Sequence, residues 1–202
     1  MTSASTAPAL VFIDSTVDDY QHLLSGILPE TDVVVLDPNQ DGVEQITQTL
    51  ADRRNISQLH IVSHGCPGEL RLGTTRLTLT TLSHYSDQLR QWARAIASQA
   101  DLLLYGCQVG AGEVGVRFIH HLSQLTGTTI AASDSLTGNA ALGGDWHLNV
   151  TTGTVTSPIV FTPAVTQDYA AVLQAVLVSE TFADDTIDTF GTWTVGATLF
   201  QS

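Results

Sequence analysis

"LHIVSHGCPG", residues 59–68, decides the fold. A mostly apolar run of strand length ends at His64 and Gly65, then turns at Cys66, Pro67 and Gly68. A second stretch, "DLLLYGCQVG" over residues 101–110, has the same grammar: an apolar run, a small residue, then Cys107. Two runs of this kind, each breaking into small and chemically active residues, read as strands that release functional side chains at or just past their carboxyl ends.

Working outward, the chain alternates strand and helix patterns. "ALVFID" (9–14), "TDVVVLD" (31–37), "SQLHIVSH" (57–64), "DLLLYG" (101–106) and "TTIAAS" (128–133) read as strands. Between them, residues 18–27, 41–53, 81–98 and 112–127 carry apolar residues at helical spacing, the third through Tyr85, Leu89, Trp92 and Ile96. "GELRLGTTRLTL" (68–79) alternates about Gly73 as a small β-hairpin does. Largely apolar strands alternating with helices predict an α/β fold: a mostly parallel five-to-six-stranded sheet flanked by helices. The α/β domain is expected over 9–155, a linker or docking segment over 156–175, and the start of a further β-rich module over 176–202.

Composition narrows the function. The chain of 202 residues is 43% hydrophobic and 13% charged, with a formal net charge of −13. All seven basic residues are arginine. Such a surface repels phosphate backbones, which speaks against nucleic acid as a partner. No apolar stretch reaches the ~20 residues of a membrane-spanning helix, and the N-terminal residues lack the pattern of a cleavable signal peptide. Two cysteines make no disulfide framework.

The chemistry therefore rests on His64 and Cys107. A thiol attacks as thiolate, and its ordinary pKa of ~8.5 leaves little of that form at neutral pH. Cys107 lies shortly before a predicted helix, whose N-terminal amides favour an anion. If strands 58–63 and 101–105 are neighbours, roughly 4.8 Å apart, His64 comes within reach to accept the thiol proton and return it to a leaving amine. The amides of Gly65 and Cys107 are candidate oxyanion donors. This chemistry requires no cofactor. A competing reading assembles His64, Cys66 and Cys107, with His84 as a fourth ligand, into a zinc site, although the paired CxxC spacing of strong zinc sites is missing. Cys66 is otherwise a bystander, or an oxidation partner of Cys107.

These blocks resemble caspase-like cysteine peptidases, the clan of caspases, legumains, gingipains and self-cleaving toxin domains: "HIVSHG" and "LLLYGC" stand in the same order and on the same elements. A closer resemblance covers about 9–155. "HIVSHGxPG", "LLYGCxVGxGExG", "LTGxxIAASxxLTG" and "GGDWxL" are similar to a bacterial domain of unknown function found near the start of giant surface adhesins. The resemblance implies His64 as catalytic histidine, Cys107 as nucleophile, and a bacterial extracellular or cell-surface location. The sequence "QVGAGE" after Cys107 departs from the caspase pattern, so cleavage after aspartate is not implied. The acidic chain suits a basic residue at the cut, with Asp14 and Asp134, both at strand ends, as candidate pocket residues. The expected partner is a polypeptide, including the chain's own "AVLQAVLVSETF" (171–182) cut in cis. The alternative is an inactive cap or interaction module.

Overall fold

The computed structural model describes residues 9–175, so the β-rich module expected over 176–202 lies outside the described residues. The first half of the chain forms β1 (Ala9–Asp14), α1 (Tyr20–Ser25), β2 (Thr31–Leu36), α2 (Gly42–Ala51), β3 (Ile56–Val62), β4 (Gly65–Cys66), β5 (Glu69–Leu72) and β6 (Thr75–Thr78). The second half adds α3 (Ser86–Trp92), β7 (Ile96–Tyr105), α4 (Gly112–Thr126), β8 (Thr129–Ala132), β9 (Leu136–Thr137), β10 (Gly144–Asp145), β11 (Val150–Thr151) and α5 (Pro163–Asp168).

Six strands make the main sheet in the order β11-β8-β7-β3-β1-β2. All neighbours run parallel except β11, which is antiparallel to β8. Alternation along each strand sends successive side chains to opposite faces. Leu10, Phe12, Leu59, Ile61, Leu102 and Leu104 join one buried cluster, under α2, α3 and α4. Val11, Ile13, Val62, Leu103 and Tyr105 join a second, closed by α1 and by residues from 160 to 173. Both faces are covered, which is why these strands read as continuous apolar runs. The hairpin of β5 and β6 turns at Gly73, whose φ of +56° favours glycine, and β4 pairs along it as a third strand.

The expected helix over 81–98 is corrected. Helix α3 ends at Trp92, and Ile96 already pairs with Ile56 in the sheet. Trp92 is fully buried and its indole donates to Thr47 Oγ1 at 2.9 Å. The Ile56 amide then takes the carbonyl of Ala95 at 3.0 Å. Strand pairing overrides the helical periodicity of Tyr85, Leu89, Trp92 and Ile96.

Residues 156–175 form a strap bound to the domain along its length. Asp101 Oδ2 accepts the amides of Thr156 and Ser157 at 2.9 and 2.8 Å. Burial pushes the Asp101 carboxyl up, but these amides outweigh it and hold it below its ordinary value. The Val160 amide donates to the buried Tyr105 hydroxyl at 3.0 Å. Trp146 Nε1 donates to the Thr166 carbonyl at 3.1 Å, and the Tyr169 hydroxyl to that of Asp18 at 2.7 Å. Phe161, Tyr169 and Leu173 are buried.

Candidate active site

The two blocks meet because β3 and β7 are parallel neighbours in matched register, with Val62 opposite Tyr105. The Ser63 amide extends the ladder to the Tyr105 carbonyl at 2.9 Å. His64 and Cys107 each follow two residues beyond that pair, so both leave the sheet at the same level of its carboxyl edge.

His64 is half-buried and its Nε2 lies 2.9 Å from the carbonyl oxygen of Thr16. A carbonyl only accepts, so Nε2 carries a hydrogen, and in the neutral ring Nδ1 is then the nitrogen with the lone pair. Nδ1 is buried and has no hydrogen-bond partner. The Thr16 turn is fixed in its own right, because its amide and hydroxyl both donate to Asp14 Oδ1, at 2.8 and 2.6 Å. Asp14 Oδ2 takes the amide of Gly73. Asp14 is thus a buried turn former whose two oxygens are occupied, one of them by the turn that orients His64. Asp134 is exposed, and its carboxylate pairs with Asn149 Nδ2 at 2.8 Å. Neither carboxylate is hydrogen-bonded to the segment that crosses the site.

That segment is the end of the strap. The carbonyl oxygen of Leu173 accepts two backbone hydrogen bonds, from the amides of Gly65 and Cys107, each at 3.0 Å. These are the two donors expected to hold an oxyanion. Around this point the strap lies extended, as an added strand. The Leu173 amide donates to the Thr137 carbonyl at 2.8 Å, and the Asn139 amide to the Ala171 carbonyl at 2.9 Å. Val172 bridges Gly138 in antiparallel fashion, and Gln174 bridges Gly65 in parallel. The Ala175 amide closes the run on the Gly65 carbonyl at 3.1 Å. Gly138 makes this approach possible: its φ is +132°, and an added Cβ would lie 2.4 Å from the Ala171 carbonyl oxygen.

The Cys107 side chain is buried beneath this strand. Its Sγ accepts the Thr137 amide at 3.2 Å and faces the Thr137 carbonyl at 3.7 Å. Burial pushes the thiol above its ordinary value, and the amides of Thr137 and Leu173 pull the other way without cancelling the shift. At rest the sulfur is therefore a thiol. The amides that act on it come from Thr137 and Leu173, in place of the helix terminus expected from sequence. No hydrogen bond joins Sγ to His64.

The zinc arrangement is not assembled: among the described residues, no group of three or more His, Cys, Asp or Glu side chains is placed to hold a metal ion. Cys66 and Cys107 are both free thiols, and Cys66 is directly opposite Glu69 in the hairpin.

The sequence model of DUF4347, a domain of unknown function, matches residues 10–173. The chain belongs to this family. No curated protein matches it. The matched span includes the strap up to Leu173, so the segment crossing the site is part of the DUF4347 domain itself. Thr16, Thr137 and Gly138 escaped the sequence reading. Thr16 and Thr137 act through backbone atoms, which leave no side-chain signature. Gly138 stood in the quoted "LTG" block without a stated role. No helix among the described residues is long and apolar enough to cross a membrane.

Proposed function

We propose that this domain is a caspase-like cysteine endopeptidase that cuts its own chain at the bond between Leu173 and Gln174. One observation carries the reading: the Leu173 carbonyl oxygen is held by the amides of Gly65 and Cys107, the residues following the histidine and bearing the thiol. A carbonyl oxygen held by two amides, one of them that of the thiol-bearing residue, is arranged as the carbonyl of an acyl-transfer substrate is.

Sγ first turns from Thr137 towards His64, and its proton passes to Nδ1 as sulfur bonds to the Leu173 carbonyl carbon. Because burial disfavours a resting thiolate, proton transfer accompanies attack. Negative charge develops on the Leu173 oxygen, where the two amides already point. Removing one such donor typically costs about 100- to 1000-fold in rate. The Thr16 carbonyl on Nε2 stabilises the imidazolium. The carbon–nitrogen bond to Gln174 then breaks, and Nδ1 gives its proton to the leaving amine. Water hydrolyses the Leu173–Cys107 thioester, releasing a Leu173 carboxylate and restoring the thiol. The resemblance to adhesin-associated domains adds a setting, a bacterial cell surface, where the cut releases the chain from Gln174 onward.

Intact mass and peptide mapping of the purified 202-residue chain test this reading. A new terminus at Gln174 is expected in the wild type and in neither Cys107→Ala nor His64→Ala. The same fragments from Cys107→Ala, or a wild-type chain that stays whole, overturn it. The hydrogen bonding of Sγ to Thr137 and away from His64 favours a second reading, an inactive interaction module sealed by its strap. The whole chain is that reading's expected result.

A further inference from the structure

We propose that the cleft selects a medium-sized apolar side chain before the cut bond, so that its substrate class is extended peptides ending in leucine-like residues. The inference rests on reading His64 and Cys107 as a peptidase pair, and it replaces the basic preference suggested by the acidic composition.

Leu173 has no exposed surface. It belongs to an apolar cluster with Ile13, Val17, Val62, Tyr105 and Tyr169. A charged residue there would need a partner, and the buried charges of the domain are already engaged. Asp14 holds Thr16 and Gly73. Asp101 holds Thr156 and Ser157. Glu69 is paired with Arg71 and Arg76. An arginine at 173 would thus bury a cation with no unengaged buried carboxylate among the described residues to pair with, and an asparagine would place a polar amide in an apolar cluster. The neighbouring positions impose much less. Ala171 and Val172 are only half-buried; Ala171 is held through its carbonyl oxygen, which every residue type offers, and Val172 lies between the bonds made by Ala171 and Leu173. Selection therefore concentrates in one side chain.

The test substitutes Leu173→Met, Leu173→Asn and Leu173→Arg in the full chain, in two backgrounds. With the dyad intact, self-cutting is timed by intact mass. With His64→Ala, docking is read without chemistry, as iodoacetamide labelling of Cys107 relative to Cys66, whose unchanged labelling reports an intact fold. Methionine should cut within about 3-fold of leucine and leave Cys107 protected. Asparagine and arginine should slow cutting by about 100-fold or more and speed Cys107 labelling by about 10-fold or more. Asparagine or arginine cutting and protecting as leucine does would overturn the inference, as would methionine behaving like asparagine. Should the parent chain stay whole while labelling follows the expected order, the pocket's preference stands and the peptidase reading falls.

Discussion

Replacing Gly138 with alanine should lift the strap out of the cleft. The added Cβ would sit 2.4 Å from the Ala171 carbonyl oxygen and 2.9 Å from Val172 Cα. Both are backbone atoms, so the strand itself must shift. Moving it breaks the hydrogen bonds from Asn139 to Ala171 and from Leu173 to Thr137, at 2.9 and 2.8 Å. At ~1 kcal/mol net for each bond, with the steric conflict added, docking weakens by about 3 kcal/mol, or about 100-fold in the docked fraction. The φ of +132° adds a further ~1–3 kcal/mol of backbone strain to the folded state. Gly143→Ala is the control, since its φ is +81° but an added Cβ there meets nothing within 4 Å. Hydrogen exchange of peptides covering 137–139 and 171–175 reports docking, intact mass reports cutting, and a urea titration reports stability. Both alanine variants should lose some stability, and only Gly138→Ala should lose protection and cutting. Gly138→Ala with wild-type protection and cutting would refute the reasoning.

Two further predictions concern the strap's anchor. Tyr105→Phe removes the hydroxyl that accepts the Val160 amide at 3.0 Å and stands 3.2 Å from His60 Nδ1. Two buried polar groups lose their partner, so stability in urea should fall by about 3 kcal/mol, and a loss under about 1 kcal/mol would contradict the bonding described. His60, buried with Nε2 unpartnered, has its pKa lowered from 6.5 to about 4 by burial, against the opposing charge of Asp101. Below pH 6.5 the unfolded chain takes up this proton before the folded one does. Stability from neutral His60 is therefore full above that pH and is lost as pH falls towards 4, by about 3 kcal/mol in total. Urea midpoints of wild type and His60→Gln across pH 7 to 4.5 measure the difference, and parallel curves would dismiss the effect.

That His64 and Cys107 leave the sheet at one edge was legible because each apolar run reads as a buried parallel strand and both end at the same level. Gly65 and Cys107 were legible as the amides at that edge, and both donate to the Leu173 carbonyl oxygen. The strap was not. Its path depends on contacts far apart in sequence, such as Asp101 with Thr156 and Tyr169 with Asp18, and "TSPIVFTPAV" reads locally as a proline-punctuated linker. Helix α3 was overrun for a related reason, since Ile96 satisfies a helical period while the sheet claims it through Ile56. Thr16 reaches His64 by a carbonyl oxygen, and every residue has one.

The strap is covalently continuous with the domain it crosses. For Leu173, reaching the two amides is a folding event instead of a collision between molecules, and its frequency belongs to the single chain at any dilution. A bystander peptide must compete against a segment held at the high effective concentration of its own tether.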